Sequence, residues 1–368
     1  MKNILFLSHT FMGGAFVVGS HHLSKELSKR GNKVLHVSAP YSYFHILSKN
    51  TENKVRRKMK GQFYKENGVE NFIPSTLFPK EIFHNKLANF DIENIVKNIS
   101  NFFNNESIDI AFIDSPYFYP VLKKLDCLYK VYRPTDVYSH MEGNKVVKFE
   151  YEAISLCEKI VATSIPLKEH IISTYSVDSK NIKVISNGVD ETYFSQVESV
   201  QNTKETFIYA GAFDNRFDFD TLEFLVKNNK NSLFQLIGPE SDQLIILTKK
   251  YKNISYLGKK KYKEVIKHLK SADYGLLLTN DNPANKGRSP MKLYEYGLAG
   301  LKVLARKTPE LHARNEEFVF LYDDNSDILS RLEICKNYTI TPEEIKKQSL
   351  KESWTGKVND LLSFVENN

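Results

Sequence analysis

"KNILFLSHTFMGGAFVVGSHHLSKELSKRGNKVLHVSAP", residues 2–40, decides the fold. "KNILFLS" is a short apolar run of the kind that forms a buried strand. "HTFMGGAFVVGS" (9–20) carries three glycines and reads as a turn. "HHLSKELSKRG" (21–31) puts Leu23 and Leu27 on one helical face, and Gly31 stops it. "KVLHVSAP" (33–40) is the next strand. Strand, turn, helix and strand make the unit of a parallel doubly wound sheet.

The rhythm continues outward. "IDIAFIDSP" (108–116), "CLYKVYRPTD" (127–136) and "EKIVATS" (158–164) read as further buried strands, with a helix at 165–175 and "NIKVISNGVD" (181–190) after it. "SQVESVQNTKE" (195–205) is polar and without period, which suits a linker. Then the alternation restarts with "TFIYAGAF" (206–213), "DFDTLEFLVKNN" (218–229), "LFQLIGP" (233–239), "ISYLGK" (254–259), "YKEVIKHLKSA" (262–272), "YGLLLTN" (274–280) and "LKVLAR" (301–306). The tail spaces Trp354, Val358, Leu361, Leu362 and Val365 as a helix. The expectation is α/β, with two Rossmann-like domains, 1–194 and 195–350. A terminal helix, 351–368, packs back on the first. Ligands of such sheets sit at the carboxyl ends of the strands, so the two domains are expected to face a cleft.

Composition sets limits. At 368 residues, with 41% hydrophobic and 26% charged, the chain is long enough for two ordinary globular cores. Cys127, Cys157 and Cys335 show no paired spacing, which excludes a disulfide framework and a cysteine zinc site and points to a reducing compartment. No run of about 18 apolar residues exists to span a membrane. The formal charge is +7, and it is uneven. Lys49, Lys54, Arg56, Arg57, Lys58, Lys60 and Lys65 stand against Glu52 alone. Tyr41, Tyr43, Phe44, Phe63, Tyr64, Phe72, Phe78 and Phe83 flank them. Basic residues among aromatics suit an anionic membrane surface. A solvated face is the plain alternative. No nucleic-acid motif accompanies the run.

"GRSPMKLYEYGLAG" (287–300) crowds an arginine, a proline and a lysine at the start of a helix. A helix start offers free N–H groups and the positive end of the macrodipole, which suits a phosphate. Several strings in order resemble glycosyltransferases of the two-Rossmann, GT-B type: "VISNGVDETYF" (184–194), "FIYAGAF" with "LIGP", "ADYGLLLTN" (272–280) and "SPMKLYEYGLAGLKVLA" (289–305). "GSHHLSKELSKRGNKVLHVSAP" and "VYRPTD" (131–136) resemble the bacterial exopolysaccharide branch that includes the xanthan glucuronosyltransferase. The resemblance implies that Lys292 receives the diphosphate of a sugar nucleotide, with uridine favoured. It also implies that Glu295 bonds the ribose hydroxyls and that Met291 lines the same pocket. The retaining branch carries an acid eight positions before this glutamate; here that position is Gly287. An inverting enzyme is therefore expected.

Glycosyl transfer needs a stabilised leaving diphosphate and a base for the acceptor hydroxyl. Gly211 allows close backbone approach to the phosphates. Arg216 is either their clamp or a surface arginine. Asp136, ending a strand, is the expected base, or else a helix cap; Asp114 is the runner-up. His21 and His22 open the first helix and either touch the acceptor or pack. By the resemblance, the glycine loop with Gly14 faces the acceptor. "DFD" (218–220) matches a metal-binding D-x-D pattern, but helix capping explains it, and neither a metal nor another cofactor is expected.

The expected reaction moves a sugar from a nucleoside diphosphate sugar to a lipid-linked or surface-glycan acceptor, in the cytoplasm at the inner face of a bacterial membrane. No nucleic acid is expected as a partner. A sugar-nucleotide epimerase of the same fold would consume donor without acceptor. An inactive scaffold in glycan assembly would bind nucleotide without turnover.

Overall fold

The computed structural model describes residues 1–14, 17–47, 51–198 and 202–367. Within them the chain divides into two compact α/β units. One is Met1–Ser186 together with Lys357–Asn368, and the other is Asn187–Gly356.

The first unit holds β1 (Asn3–Leu7), β2 (Lys33–Val37), β3 (Tyr41–Ser42), β4 (Phe63–Glu66), β5 (Val69–Phe72), β6 (Ser75–Thr76), β7 (Ile108–Ile113), β8 (Cys127–Tyr132), β9 (Lys159–Ala162) and β10 (Ile182–Val184). Its main sheet runs β10-β9-β8-β7-β1-β2-β5-β4. Every pairing is parallel except the β4–β5 hairpin. The apolar run read first in the sequence becomes β1 at the centre, where Ile4, Leu5, Phe6 and Leu7 are wholly buried. A strand covered on both faces needs this continuous apolar pattern. The helix after it spans Gly19–Lys29 and buries Leu23 and Leu27.

The second unit holds β11 (Thr206–Ala210), β12 (Leu233–Ile237), β13 (Ile254–Gly258), β14 (Tyr274–Leu277), β15 (Lys302–Arg306) and β16 (Val319–Tyr322). They form one parallel sheet, β13-β12-β11-β14-β15-β16. The strand order reverses between β11 and β14, and between β1 and β7 in the first unit. Such reversals open a crevice at the carboxyl ends, where ligands of this fold class bind.

The division between units falls at Ser186–Asn187, upstream of residue 195, where polarity alone suggests it. Hydrogen bonds explain the shift. Asn187 donates its backbone N–H to Ser289 Oγ and its side-chain amide to Ser289 O, both at 3.0 Å. Val189 N donates to Glu352 O, and Trp354 N to Val189 O. The "NGVD" stretch is thereby fastened to the second unit. Ser199, Val200 and Gln201 of the expected linker lie outside the described residues. The last helix, Trp354–Glu366, buries Trp354, Val358, Leu361 and Val365, while Leu362 is only half-buried. Its residues from Lys357 onward belong to the first unit, where Glu366 pairs with Lys2 at 2.7 Å.

Candidate functional site

In the second unit the chain leaves β11 at Gly211, whose N–H donates to Ile237 O. A Cβ on Gly211 would stand 2.7 Å from Tyr209 Oη and 3.0 Å from Lys292 Cε. Only glycine lets the lysine stem lie this close to the strand end. Gly238, after β12, is equally constrained: a Cβ there would stand 1.8 Å from Gly211 O. The loop then runs to Phe217, which bridges to Thr279 beyond β14. Asp218 caps the next helix, accepting from Thr221 N at 2.9 Å and Thr221 Oγ1 at 2.8 Å. The first aspartate of "DFD" is therefore a helix cap. Among the described residues no cluster of histidine, cysteine or carboxylate ligands is arranged to hold a metal.

The helix Met291–Leu298 follows Pro290, and no side chain caps its start. Its first N–H groups are left for a ligand or solvent. Lys292 sits in this first turn, half-buried. Burial lowers its pKa; Arg288 and Arg216 push the same way, against Glu295 and Asp214. Three cations thus gather beside two carboxylates at one helix start. Arg216 does not extend freely: its guanidinium grips Asp214 through Nε–Oδ1 at 3.0 Å and Nη2–Oδ2 at 2.5 Å. Asn285, 5% exposed, donates to Arg216 O and Asn280 O and fixes the loop beneath. Glu295, one turn into the helix, accepts from Tyr262 Oη at 3.0 Å, and burial raises its pKa. Met291 is half-buried at the first helical position.

The sequence alone gives no role to Tyr262 or Asp214, and it counts Arg288 only as part of the crowded helix start. Arg288 stands in the same short motif as Lys292, so its charge and spacing were available as a signal. Tyr262 lies 33 residues from Glu295 and meets it only through the fold.

In the first unit, past the ends of β1 and β7, Asp114 accepts from Ser20 and His9 neighbours His21. Asp114 is fully buried and pairs with buried Arg133 at 3.4 Å. Burial raises its pKa, offset by Arg133 and Ser20. His21 is 5% exposed, 3.2 Å from Thr10 Oγ1 and edge-on to His36 with ring centres 5.0 Å apart. It is built into a buried network. Burial lowers His9 and His21 each to about 4, so both are neutral at ordinary pH. His22 is half-buried on the same helix. Gly14 packs on Phe11, whose ring would stand 3.0 Å from a Cβ there. Asp136 is half-buried, and Thr135 Oγ1 donates to its Oδ2 at 3.1 Å. The helix Tyr138–Glu142 starts from Val137 without a side-chain cap, so Asp136 is not its cap.

Comparison with known proteins agrees with this architecture. No family model matches the chain. A Bacillus subtilis (strain 168) protein named as a teichuronic acid biosynthesis glycosyltransferase, TuaH, is 21% identical over 203 residues, covering 52% of this chain and 51% of that protein. The chain thus matches about half the length of this relative. Among solved structures, a glycosyltransferase from Rickettsia africae ESF-5 superposes with a TM-score of 0.70 at 16% identity, covering 99% of this chain and 98% of that one. HepE of Anabaena, solved with UDP and glucose, gives 0.69 at 14% identity with the same coverage. The fold is the α/β fold of GT-B glycosyltransferases.

Proposed function

We propose that this protein is a glycosyltransferase of bacterial polysaccharide synthesis. Its donor is a nucleoside diphosphate sugar, with UDP as the carrier. Its acceptor is lipid-linked or a growing surface glycan, and transfer inverts the anomeric centre. The observation that carries the reading is the convergence of Lys292, Arg288 and Arg216 on an uncapped helix start, with Glu295 one turn further. A dianionic diphosphate answers the excess of positive charge and the free N–H groups. A buried carboxylate answers vicinal hydroxyls, for which it is an acceptor when ionised. HepE, of the same fold, binds UDP and UDP-glucose.

In the transfer, the acceptor oxygen forms a bond to the anomeric carbon and gives its proton to Asp136. The bond from that carbon to the phosphate oxygen breaks, and the diphosphate leaves with the electron pair. Lys292, Arg288 and the helix N–H groups stabilise that charge as it develops. Arg216 works as part of an Asp214 pair, which keeps its fork oriented and lessens the net charge it brings. Gly14, His21 and His22 remain the acceptor-side proposal, His21 through the network it holds.

Calorimetry with UDP tests the reading. The native protein should bind UDP, and Lys292→Ala should weaken binding about tenfold or more, as expected for loss of a charge-assisted contact. No binding of UDP or a UDP-sugar by the native protein overturns it.

A further inference from the structure

The basic segment of the first unit turns out different from its sequence pattern. Lys49 lies outside the described residues. Of the flanking aromatics, Tyr41, Phe72 and Phe83 belong to the core. Tyr64 donates to Met12 O, and Phe78 packs on the core. Arg56 is a structural cation: its Nη2 donates to the carbonyls of Ala39 and Pro40. The helix Thr51–Met59 therefore turns Arg56 and Met59 inward, and leaves Lys54, Val55, Arg57 and Lys58 exposed.

The exposed apolar residues continue beyond this helix. Lys60 lies over the rings of Tyr41 and Tyr43 and ties the helix end to the turn 43–47. Strands β3 and β6 pair in register, Ser42 against Thr76, so Tyr43 and Phe44 leave beside Leu77. Leu77 N and Phe78 N both donate to the buried carboxylate of Asp91, each at 2.9 Å, which joins this turn to the start of the helix Asn89–Phe102. Phe90 and Leu87 stand there. Phe44 is 67% exposed, Phe90 71% and Leu87 67%. Clustered exposed apolar side chains mark a surface that meets a partner; of the nearby acids, Asp91 is buried on the turn and Glu93, one turn on from Phe90, is paired with Lys124 at 2.6 Å. Lys86 is exposed beside Leu87.

We infer that this surface of the first unit, Phe44–Leu77–Leu87–Phe90 with Lys54, Arg57 and Lys58, seats the protein on an anionic lipid bilayer. Apolar residues enter the headgroup boundary while the cations meet lipid phosphates. Charge complementarity selects the anionic bilayer over a neutral one. The inference does not rest on the transfer reaction, because these residues belong to the first unit and the proposed donor residues to the second.

Co-sedimentation of the full chain with phosphatidylcholine vesicles, with and without about 30% phosphatidylglycerol, tests it. Binding is expected only to the anionic vesicles and should weaken with salt. Lys54→Glu/Arg57→Glu/Lys58→Glu should lower partitioning about a hundredfold, since each basic residue near the surface contributes about fivefold. Phe44→Ser/Phe90→Ser should lower the part that survives high salt. Melting curves of both variants, expected to match the native protein, separate lost adhesion from lost folding. Absence of sedimentation with anionic vesicles at low salt overturns the inference. So does unchanged sedimentation of both variants, or binding to a DNA duplex without binding to vesicles.

Discussion

Asp114 directly follows β7, and Asp136 lies four residues past β8, which stops at Tyr132 short of the strand end expected from sequence; their surroundings assign them different work. Asp114 is buried against Arg133, so neutralising it strands a guanidinium in the core. Breaking a buried pair from one side costs about 3–5 kcal/mol. Asp114→Asn should therefore show as a loss of unfolding free energy in urea. Asp136 is half-buried, accepts from Thr135 Oγ1 and does not cap the helix Tyr138–Glu142. Asp136→Asn should keep the fold and the UDP affinity while lowering turnover by about 10²–10⁴, the usual worth of a general base. Near-native turnover in Asp136→Asn would remove it as the base. The histidines beside Asp114 give a pH dependence whose sign follows from burial. His9 and His21 take protons near 6.5 when unfolded but only near 4 when folded. Between those values the unfolded state binds more protons, so stability falls as pH drops. The slope is at most about 1.4 kcal/mol per pH unit for each histidine. Urea midpoints between pH 7.5 and 5 should decline, and the decline should be shallower in His9→Gln. A profile as steep in His9→Gln as in the native protein would refute that assignment.

Elements were legible where their pattern was local. The run "KNILFLS" became the central strand, and "IPLKEHIISTY" became a helix over the expected span, Ile165–Tyr175. The helix Asn89–Phe102 was not legible in this way: Ile92, Ile95 and Ile99 mark its buried face, but asparagines and a serine, poor helix formers, fill much of the rest. The start of the helix Met291–Leu298 was legible from its proline and lysine; that it receives an anion is the proposal. Its environment was not: the Arg216–Asp214 pair and the Tyr262 contact depend on loops converging after the sheet forms. The terminal helix gives the test at this scale. Its apolar spacing was plain in sequence, and Leu361 is wholly buried. Leu361→Ala removes that packing and should cost about 2–5 kcal/mol. The melting temperature should fall while UDP affinity is unchanged, because the helix from Lys357 onward belongs to the first unit and the proposed UDP site to the second. An unchanged melting temperature would show that the helix contributes little to the first unit.

At the scale of the whole molecule, the two units have separate sheets and separate cores. The second is continuous in sequence, from Asn187 to Gly356, and the first is closed by the residues that follow it. Each has the means to unfold as its own cooperative block, and chains of this kind depart from a single two-state transition. Every residue proposed to hold the diphosphate and ribose lies in the second unit: Gly211, Arg216, Arg288, Met291, Lys292 and Glu295. A ligand stabilises only the native block that binds it, by RT ln(1 + [L]/Kd), which is about 2.7 kcal/mol at a hundredfold excess over Kd. Scanning calorimetry should therefore resolve two transitions, and UDP should raise one of them by several degrees while leaving the other in place. Leu361→Ala should lower the transition that UDP leaves unmoved, which assigns the two blocks without dissecting the chain. Lys292→Ala, binding about tenfold more weakly, should cut the UDP shift to about half or less without moving either midpoint in its absence. If UDP raised both transitions together, the assignment of the site to the second unit alone would be wrong.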